Sequence, residues 1–200
     1  MKYDKFAFIT PPRAENRIPP GLLDGYEARG WWAQRKLNGT NSVIFVSPEK
    51  TLRAMTRHGE DHKMWSFSDD SAAVFRNLPG RGWWVINAEL MHSKGGGMRD
   101  VNYVHDVLVA DGDWLLGSTY QQRWGILSSV LPGKEDGWRR IVNAKTWLAN
   151  NVVSGFKDAF SSLVGVEFEG LVLKDPLGKL ATKGVPWAVK CRRPAKNYGF

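Results

Sequence analysis

The stretch WWAQRKLNGTNSVIFV, residues 31–46, joins two apolar, strand-like runs through Lys36-Leu37-Asn38-Gly39-Thr40-Asn41. Residues 31–36 and 41–46 are aromatic and β-branched, the side chains that suit a pleated, half-buried surface. Asn38-Gly39 between them is a strong two-residue turn signal, which predicts a hairpin with Lys36 at the end of its first strand. A lysine beside a glycine that lets a bulky ligand approach the backbone is a candidate nucleophile. That pair at that spacing arises by chance in a chain of 200 residues, so its significance depends on the residues downstream of it.

Residues 51–57 predict a strand that ends at Arg57, before His58-Gly59. A short helix is expected over 71–77. Residues 83–90 predict a buried strand with Glu89 as the lone acid near its end, and a buried carboxylate is costly unless paired or metal-bound. Residues 92–100, with Gly95-Gly96-Gly97, read as a mobile loop whose spacing is not that of a phosphate-binding P-loop. Residues 103–110 predict a strand, Asp111-Gly112 a turn, 118–131 an amphipathic helix capped by Ser118, and 143–164 a mainly helical stretch. VEFEGLVLK at 166–174 is an apolar strand carrying Glu167, Glu169 and Lys174. In the strand 187–192, alternation puts Lys190 and Arg192 on one face and Cys191 on the other. Pro11-Pro12, Pro19-Pro20-Gly21 and Gly25 punctuate residues 1–30 into an irregular opening segment. The expectation is one domain over 1–200, with a core over 31–192.

The apolar fraction of 42% and charged fraction of 24% are those of a globular protein. Most of the ten tryptophans fall in pairs or strand-like runs, where core packing is the ordinary use. The net charge of +8 favours an anionic partner. Lys174, Lys179, Lys183, Lys190, Arg192, Arg193 and Lys196 stand against Asp175 alone near the C-terminus, so that end carries six of the eight excess charges. A single cysteine, Cys191, makes neither an internal disulfide nor a cysteine-based zinc site, and fits a reducing compartment. His58, His62 and His92 read as ordinary polar residues. The apolar runs are too short for a membrane span and the N-terminus lacks a signal-peptide core, so a soluble cytoplasmic monomer is expected.

Read together, these pieces resemble the covalent nucleotidyltransferase superfamily of ATP-dependent DNA ligases, RNA ligases and mRNA capping enzymes. Lys36 to Asn41 is similar to the nucleophile motif, Arg57-His58-Gly59 to the arginine motif, and Glu89-Leu90 to the central acidic motif. YVHDV at 103–107 resembles the segment whose aromatic side chain stacks on the base. EGLVLK at 169–174 is similar to the most recognisable string of the family, and Lys190-Cys191-Arg192 to its closing pair of cations. Asn38 and Asn41 stand where a DNA ligase usually carries aspartate and arginine, so the motif is closer to the RNA ligase 2 branch.

The resemblance implies an α+β fold, antiparallel sheets flanked by helices around a nucleotide cleft, without the OB or helical C-terminal domain that relatives carry. An accessory chain is a candidate to replace that domain. It further implies ATP as cofactor, Mg²⁺ or Mn²⁺ as metal, and nicked duplex or RNA ends as partners. Lys36 would be the nucleophile; Glu169, Lys190 and Arg192 would share the catalytic work. Gly39, Asn41, Arg57, Glu89, His105 and Lys174 would bind the nucleotide, with Asn41 on ribose or phosphate and Tyr103 as the alternative to His105 at the base. Glu89 and Glu169 are the metal candidates, with the ribose as an alternative role for Glu89. The expected activity is sealing of 5′-phosphate to 3′-hydroxyl ends through a lysyl-AMP intermediate, RNA before DNA. A capping guanylyltransferase and a non-catalytic nucleic-acid-binding protein of the same fold are the alternatives.

Overall fold

Two sheets divide the chain, which passes from the first to the second at Asn38-Gly39 and returns to the first before residue 168. The computed structural model describes residues 1–91 and 98–194. A 3₁₀ turn (Pro20–Leu22) and α1 (Leu23–Ala28) lead into β1 (Trp32–Leu37), β2 (Thr40–Val46) and β3 (Leu52–Thr56). Then come α2 (Asp69–Arg76), β4 (Trp84–Met91), β5 (Val101–Ala110), β6 (Asp113–Trp114) and α3 (Tyr120–Val130). The chain ends with β7 (Lys134–Asp136), β8 (Arg139–Asn143), β9 (Thr146–Ala149), α4 (Phe156–Ser161), β10 (Phe168–Lys174) and β11 (Ala188–Arg192). β1, β10 and β11 form an antiparallel three-stranded sheet in the order β1-β10-β11. Among the described residues the other eight strands form a mixed sheet, β3-β2-β4-β5-β9-β8-β7 with β6 beside β5, in which β5 and β9 run parallel and the other paired neighbours antiparallel.

The expected hairpin at Asn38-Gly39 is therefore absent: β1 pairs with β10, and β2 lies between β3 and β4. Neither Asn38 nor Gly39 has the positive φ that a two-residue hairpin turn requires. Burial decides the matter. Val43 and Phe45 face one cluster, with Tyr3 and Ile9, while Ile44 and Val46 face another, with Phe75 and Leu127. Each such side chain contributes roughly 1.5–3 kcal/mol when buried, far more than a favourable turn. A strand with two apolar faces takes a central place, and its predecessor must leave for the other sheet.

The strand expectations at 51–57, 83–90, 103–110, 166–174 and 187–192 correspond to β3, β4, β5, β10 and β11, and the 71–77 helix to α2. Asp111-Gly112 turns at positive φ into β6. Two further expectations fail. The cap of α3 is Thr119, which forms a reciprocal capping box with Gln122, while the Ser118 hydroxyl donates to the Leu115 carbonyl. The mainly helical stretch at 143–164 holds β9 before the short α4, because Thr146–Ala149 is buried on both faces and pairs with β5 and β8. A fully buried four-residue run has no periodicity to separate strand from helix. Residues 92–97 of the expected loop, including Gly95-Gly96-Gly97 and His92, lie outside the described residues, as does Lys196. No described helix is long and apolar enough to cross a membrane.

Candidate active site

The three-stranded sheet presents three cross-strand rows to a cleft of about 750 Å³. Its register aligns Lys36 with Gly170 and Arg192, Gln34 with Val172 and Lys190, and Trp32 with Lys174 and Ala188. The intervening residues Ala33, Leu37, Leu171, Leu173, Val189 and Cys191 belong to one hydrophobic cluster on the opposite side. Alternation thus delivers Lys36, Lys174, Lys190 and Arg192 to the cleft and hides Cys191, whose thiol burial pushes up to about 11.

Glu169 breaks this parity and still reaches the nucleophile. By strict alternation it would share a face with Leu171 and Leu173. A β-bulge intervenes: Lys36 pairs with Gly170 and Leu37 with Phe168, which leaves Glu169 without a partner on β1. Gly170 takes φ +148, a conformation open to glycine. The bulge re-aims the carboxylate so that Oε2 lies 2.6 Å from Lys36 Nζ and 3.1 Å from an Arg192 nitrogen. The immediate neighbour of the lysine ammonium is therefore this carboxylate rather than another cation. Glu167 precedes the strand, and its carbonyl accepts the Asn38 N–H.

The eight-stranded sheet supplies the facing wall. Gly39 donates its N–H to Glu89 Oε1 at 3.1 Å. A Cβ on Gly39 would lie 2.6 Å from the Leu90 carbonyl and 2.9 Å from Glu89 Cγ, so the glycine makes room for β4. Asn41 directs its amide nitrogen to Asn87 Oδ1 at 2.8 Å and the Ala88 carbonyl at 3.3 Å, leaving its own Oδ1 buried without a partner. Arg57 follows β3 and lines the cleft near Glu89. Lys190 Nζ donates to the Ala14 carbonyl at 3.0 Å; burial, then Arg13 and Arg192, lower its pKa.

Burial raises the Glu89 carboxyl to about 7, against the opposing pull of Lys36, Arg57 and the Gly39 N–H. The folded chain therefore holds this proton more tightly than the unfolded chain does. The stability it contributes is full below the ordinary value of 4.5 and falls as pH rises through about 7. Glu89→Gln keeps an acceptor for Gly39 and removes the buried charge. Thermal melts in EDTA will show Glu89→Gln more stable than wild type at pH 8, with the gain shrinking toward pH 4.5; an equal gain at both pH values would refute the assignment.

His105 and Lys174 are neighbours: Lys174 Nζ donates to the His105 carbonyl at 3.0 Å. Burial, reinforced by Lys174, lowers His105 to about 3, so its ring is neutral at physiological pH. Tyr103, the alternative aromatic, is 2% exposed and packs against Trp138 at 5.6 Å between ring centroids.

Several cleft residues escaped the sequence reading. Gln34 stands two residues before Lys36, so alternation alone would have found it. Residues 10–16 border the cleft because the opening segment docks beside β11, with Lys190 N–H donating to the Asn16 carbonyl and Ile18 N–H to that of Lys190. Asp106 and Arg123 form a buried bidentate ion pair at 2.8 and 3.2 Å, and the guanidinium lies 5.0 Å from the Trp187 ring. No local pattern links those two positions.

The arrangement of these two sheets recurs in solved structures. The ligase domain of LigD from M. tuberculosis superposes with a TM-score of 0.61 at 18% identity, covering 88% of this chain and 58% of that one. This is the ligase nucleotidyltransferase fold. A mycobacterial DNA ligase D complexed with ATP and MES gives a TM-score of 0.56 at 18% identity, covering 88% and 59%. Chlorella virus DNA ligase-adenylate gives 0.50 at 14% identity, covering 90% and 67%. The chain thus spans somewhat under three fifths of the first two structures. No protein-family model and no curated protein matches the sequence. The ligase D and Chlorella virus structures are of DNA ligases; at 18% and 14% identity the likeness shows the fold and gives no support to the RNA ligase 2 branch to which Asn38 and Asn41 pointed. Both asparagines have structural duties here: Asn38 donates to the Val166 carbonyl and Asn41 to β4.

Proposed function

We propose that this chain is the catalytic core of an ATP-dependent polynucleotide ligase that seals 5′-phosphate to 3′-hydroxyl ends, acting on nicked DNA. The observation that carries the reading is Lys36 in a nucleotide-sized cleft, held by Glu169 and bordered by Arg57, Lys190 and Arg192. In the first step the unprotonated Lys36 Nζ attacks the α-phosphorus of ATP, a P–N bond forms, and the bond to the departing pyrophosphate oxygen breaks. Glu169, already at 2.6 Å, is placed to take the amine proton. Arg57, Lys190 and Arg192 stabilise the negative charge that builds at the α-phosphate. The AMP then passes to a 5′-phosphate, and a 3′-hydroxyl displaces it with formation of the phosphodiester. His105, neutral, half-buried and on the cleft wall, is the base-stacking candidate, and Tyr103, which also lines the cleft but is 2% exposed, is the alternative.

Among the described residues no cluster of three or more His, Cys, Asp or Glu could hold a metal by itself. Glu89 and Glu169 nevertheless suit Mg²⁺ or Mn²⁺, which favour one or two carboxylates together with substrate phosphates. Bound there, the ion would supply Lewis-acid polarisation of a phosphate oxygen.

The sequence features Asn38 and Asn41 carry a second reading, RNA sealing. Nicked duplexes with a deoxyribose or a ribose 3′-hydroxyl separate the two. We expect faster closure of the DNA nick with ATP; faster closure of the ribose nick establishes the second reading, labelling by GTP rather than ATP a capping activity, and duplex binding with neither labelling nor sealing a non-catalytic role.

A further inference from the structure

We propose that Arg35 is a phosphate contact for the nucleic-acid strand, on the face of the three-stranded sheet opposite the side chain of Lys36. This deepens the proposed function and rests on its premise that a nick is sealed at Lys36.

Arg35 borders the cleft beside Lys36, but register takes its side chain to the other face. It pairs with Leu171 on β10, and Leu171 with Cys191 on β11, a row whose buried members belong to the hydrophobic cluster behind the cleft. β1 is an edge strand, so a half-buried side chain on that face still reaches solvent. The guanidinium carbon lies 5.0 Å from the centre of the Trp138 ring and 5.1 Å from that of Phe168. Two rings thus restrain a long, flexible side chain, and a phosphate finds it already placed.

Its donors are unspent. Among the described residues the Arg35 guanidinium has neither a hydrogen-bond acceptor nor a carboxylate. The acids of the neighbouring β7–β8 hairpin are taken by their own arginines: Arg139 directs Nε and Nη2 to Asp136 at 3.0 and 2.8 Å, and Arg140 Nε meets Glu135 at 2.6 Å. Burial lowers the Arg35 pKa and Arg139 adds to that effect, while Tyr103 opposes it. The Tyr103 hydroxyl, within electrostatic reach of both arginines, is itself buried without a partner. A guanidinium carries five donors in a planar fork that matches two phosphate oxygens. Partly desolvated, next to a second cation and with no anion of its own, this one gains from an anion that arrives. A free nucleotide whose α-phosphate lies at Lys36 occupies the cleft face alone. A polynucleotide repeats its phosphates and can pass over the edge strand to both faces, and the net charge of +8 favours such a polyanion.

The test measures binding of a nicked duplex to wild type and Arg35→Gln across a salt series. Arg35→Gln should flatten the slope of log affinity against log salt by about 0.9, the share of one phosphate contact on duplex DNA. In a set of duplexes that each carry one neutral methylphosphonate linkage, one position should weaken wild type roughly tenfold and leave Arg35→Gln unaffected. AMP labelling by ATP should be the same in both chains. On wild type, the duplex should shield Arg35 from phenylglyoxal, read by peptide mass spectrometry, and ATP should not; this arm needs no variant. An unchanged salt slope, a methylphosphonate set that affects both chains alike, or shielding by ATP overturns the inference and leaves the ligase reading standing. Lost labelling in a folded Arg35→Gln overturns it too, by making Arg35 part of the nucleotide site. Wild type that binds no duplex also overturns it, and wild type that takes no AMP label removes the ligase reading together with the inference. Circular dichroism melts confirm that the variant is folded.

Discussion

Lys36→Ala and Lys36→Arg both form no covalent AMP adduct under conditions in which the wild-type chain, incubated with ATP and Mg²⁺ or Mn²⁺, gains one AMP in mass. Alanine removes the nucleophile outright. The arginine variant is the sharper test, since a guanidinium keeps the ion pair with Glu169 but stays protonated and offers no lone pair. We expect the adduct to fall below detection in both variants while the Lys36→Arg melting temperature stays near that of wild type. An adduct that persists in either variant, mapped to another residue by peptide mass spectrometry, would remove Lys36 from the mechanism.

Gly170→Ala should be the most damaging small substitution in the fold. The new Cβ would stand 2.0 Å from the Cys191 carbonyl oxygen and 2.9 Å from Arg192 Cα, and the residue would be held at φ +148. Those neighbours are backbone atoms fixed by the β10–β11 ladder, so they cannot yield as a flexible side chain would. Strain of this kind costs about 3 kcal/mol or more, which for a chain of this size lowers the melting temperature by roughly 6–12 °C. The bulge also aims Glu169 at Lys36, so adduct formation should fall together with stability, even at a temperature where the variant is folded. Gly25→Ala is the control. It sits in α1 with nothing within 4 Å of its Cβ position and a helical backbone, so alanine there should stabilise by about 0.5 kcal/mol. If the two variants melt alike, the bulge is not the constraint we take it to be.

Much of the site was legible because it lies on strands whose alternation shows in the residues themselves. Lys190 and Arg192 flank a buried Cys191, and Lys36 ends a half-buried run; both readings need only a period of two. The misreadings have a common origin. Asn38-Gly39 carries the local signature of a hairpin, yet long-range burial of β2 on both faces overrode it. Thr146–Ala149 is too short and too uniformly buried to show a period at all. Glu169 stands out by its motif, but alternation places it on the face of Glu167, because a bulge cancels the period and the sequence marks it only by one glycine.

The order of residues along the chain carries the chemistry: a candidate lysine nucleophile, two carboxylates and a set of cations in an arrangement that resembles one superfamily, with enough apolar strand to build an α+β core. How those groups divide the cleft emerges only from the folded chain. Lys174, grouped in the sequence with the nucleotide-binding residues, stands about 13 Å along the sheet from Lys36, with Nζ 4.2 Å from the centre of the Tyr120 ring. Gly39, three residues after Lys36, makes room for β4. The physical reason is that side-chain type is a local property, whereas the neighbours that give a charge its partner or its solvation come from strands more than a hundred residues apart.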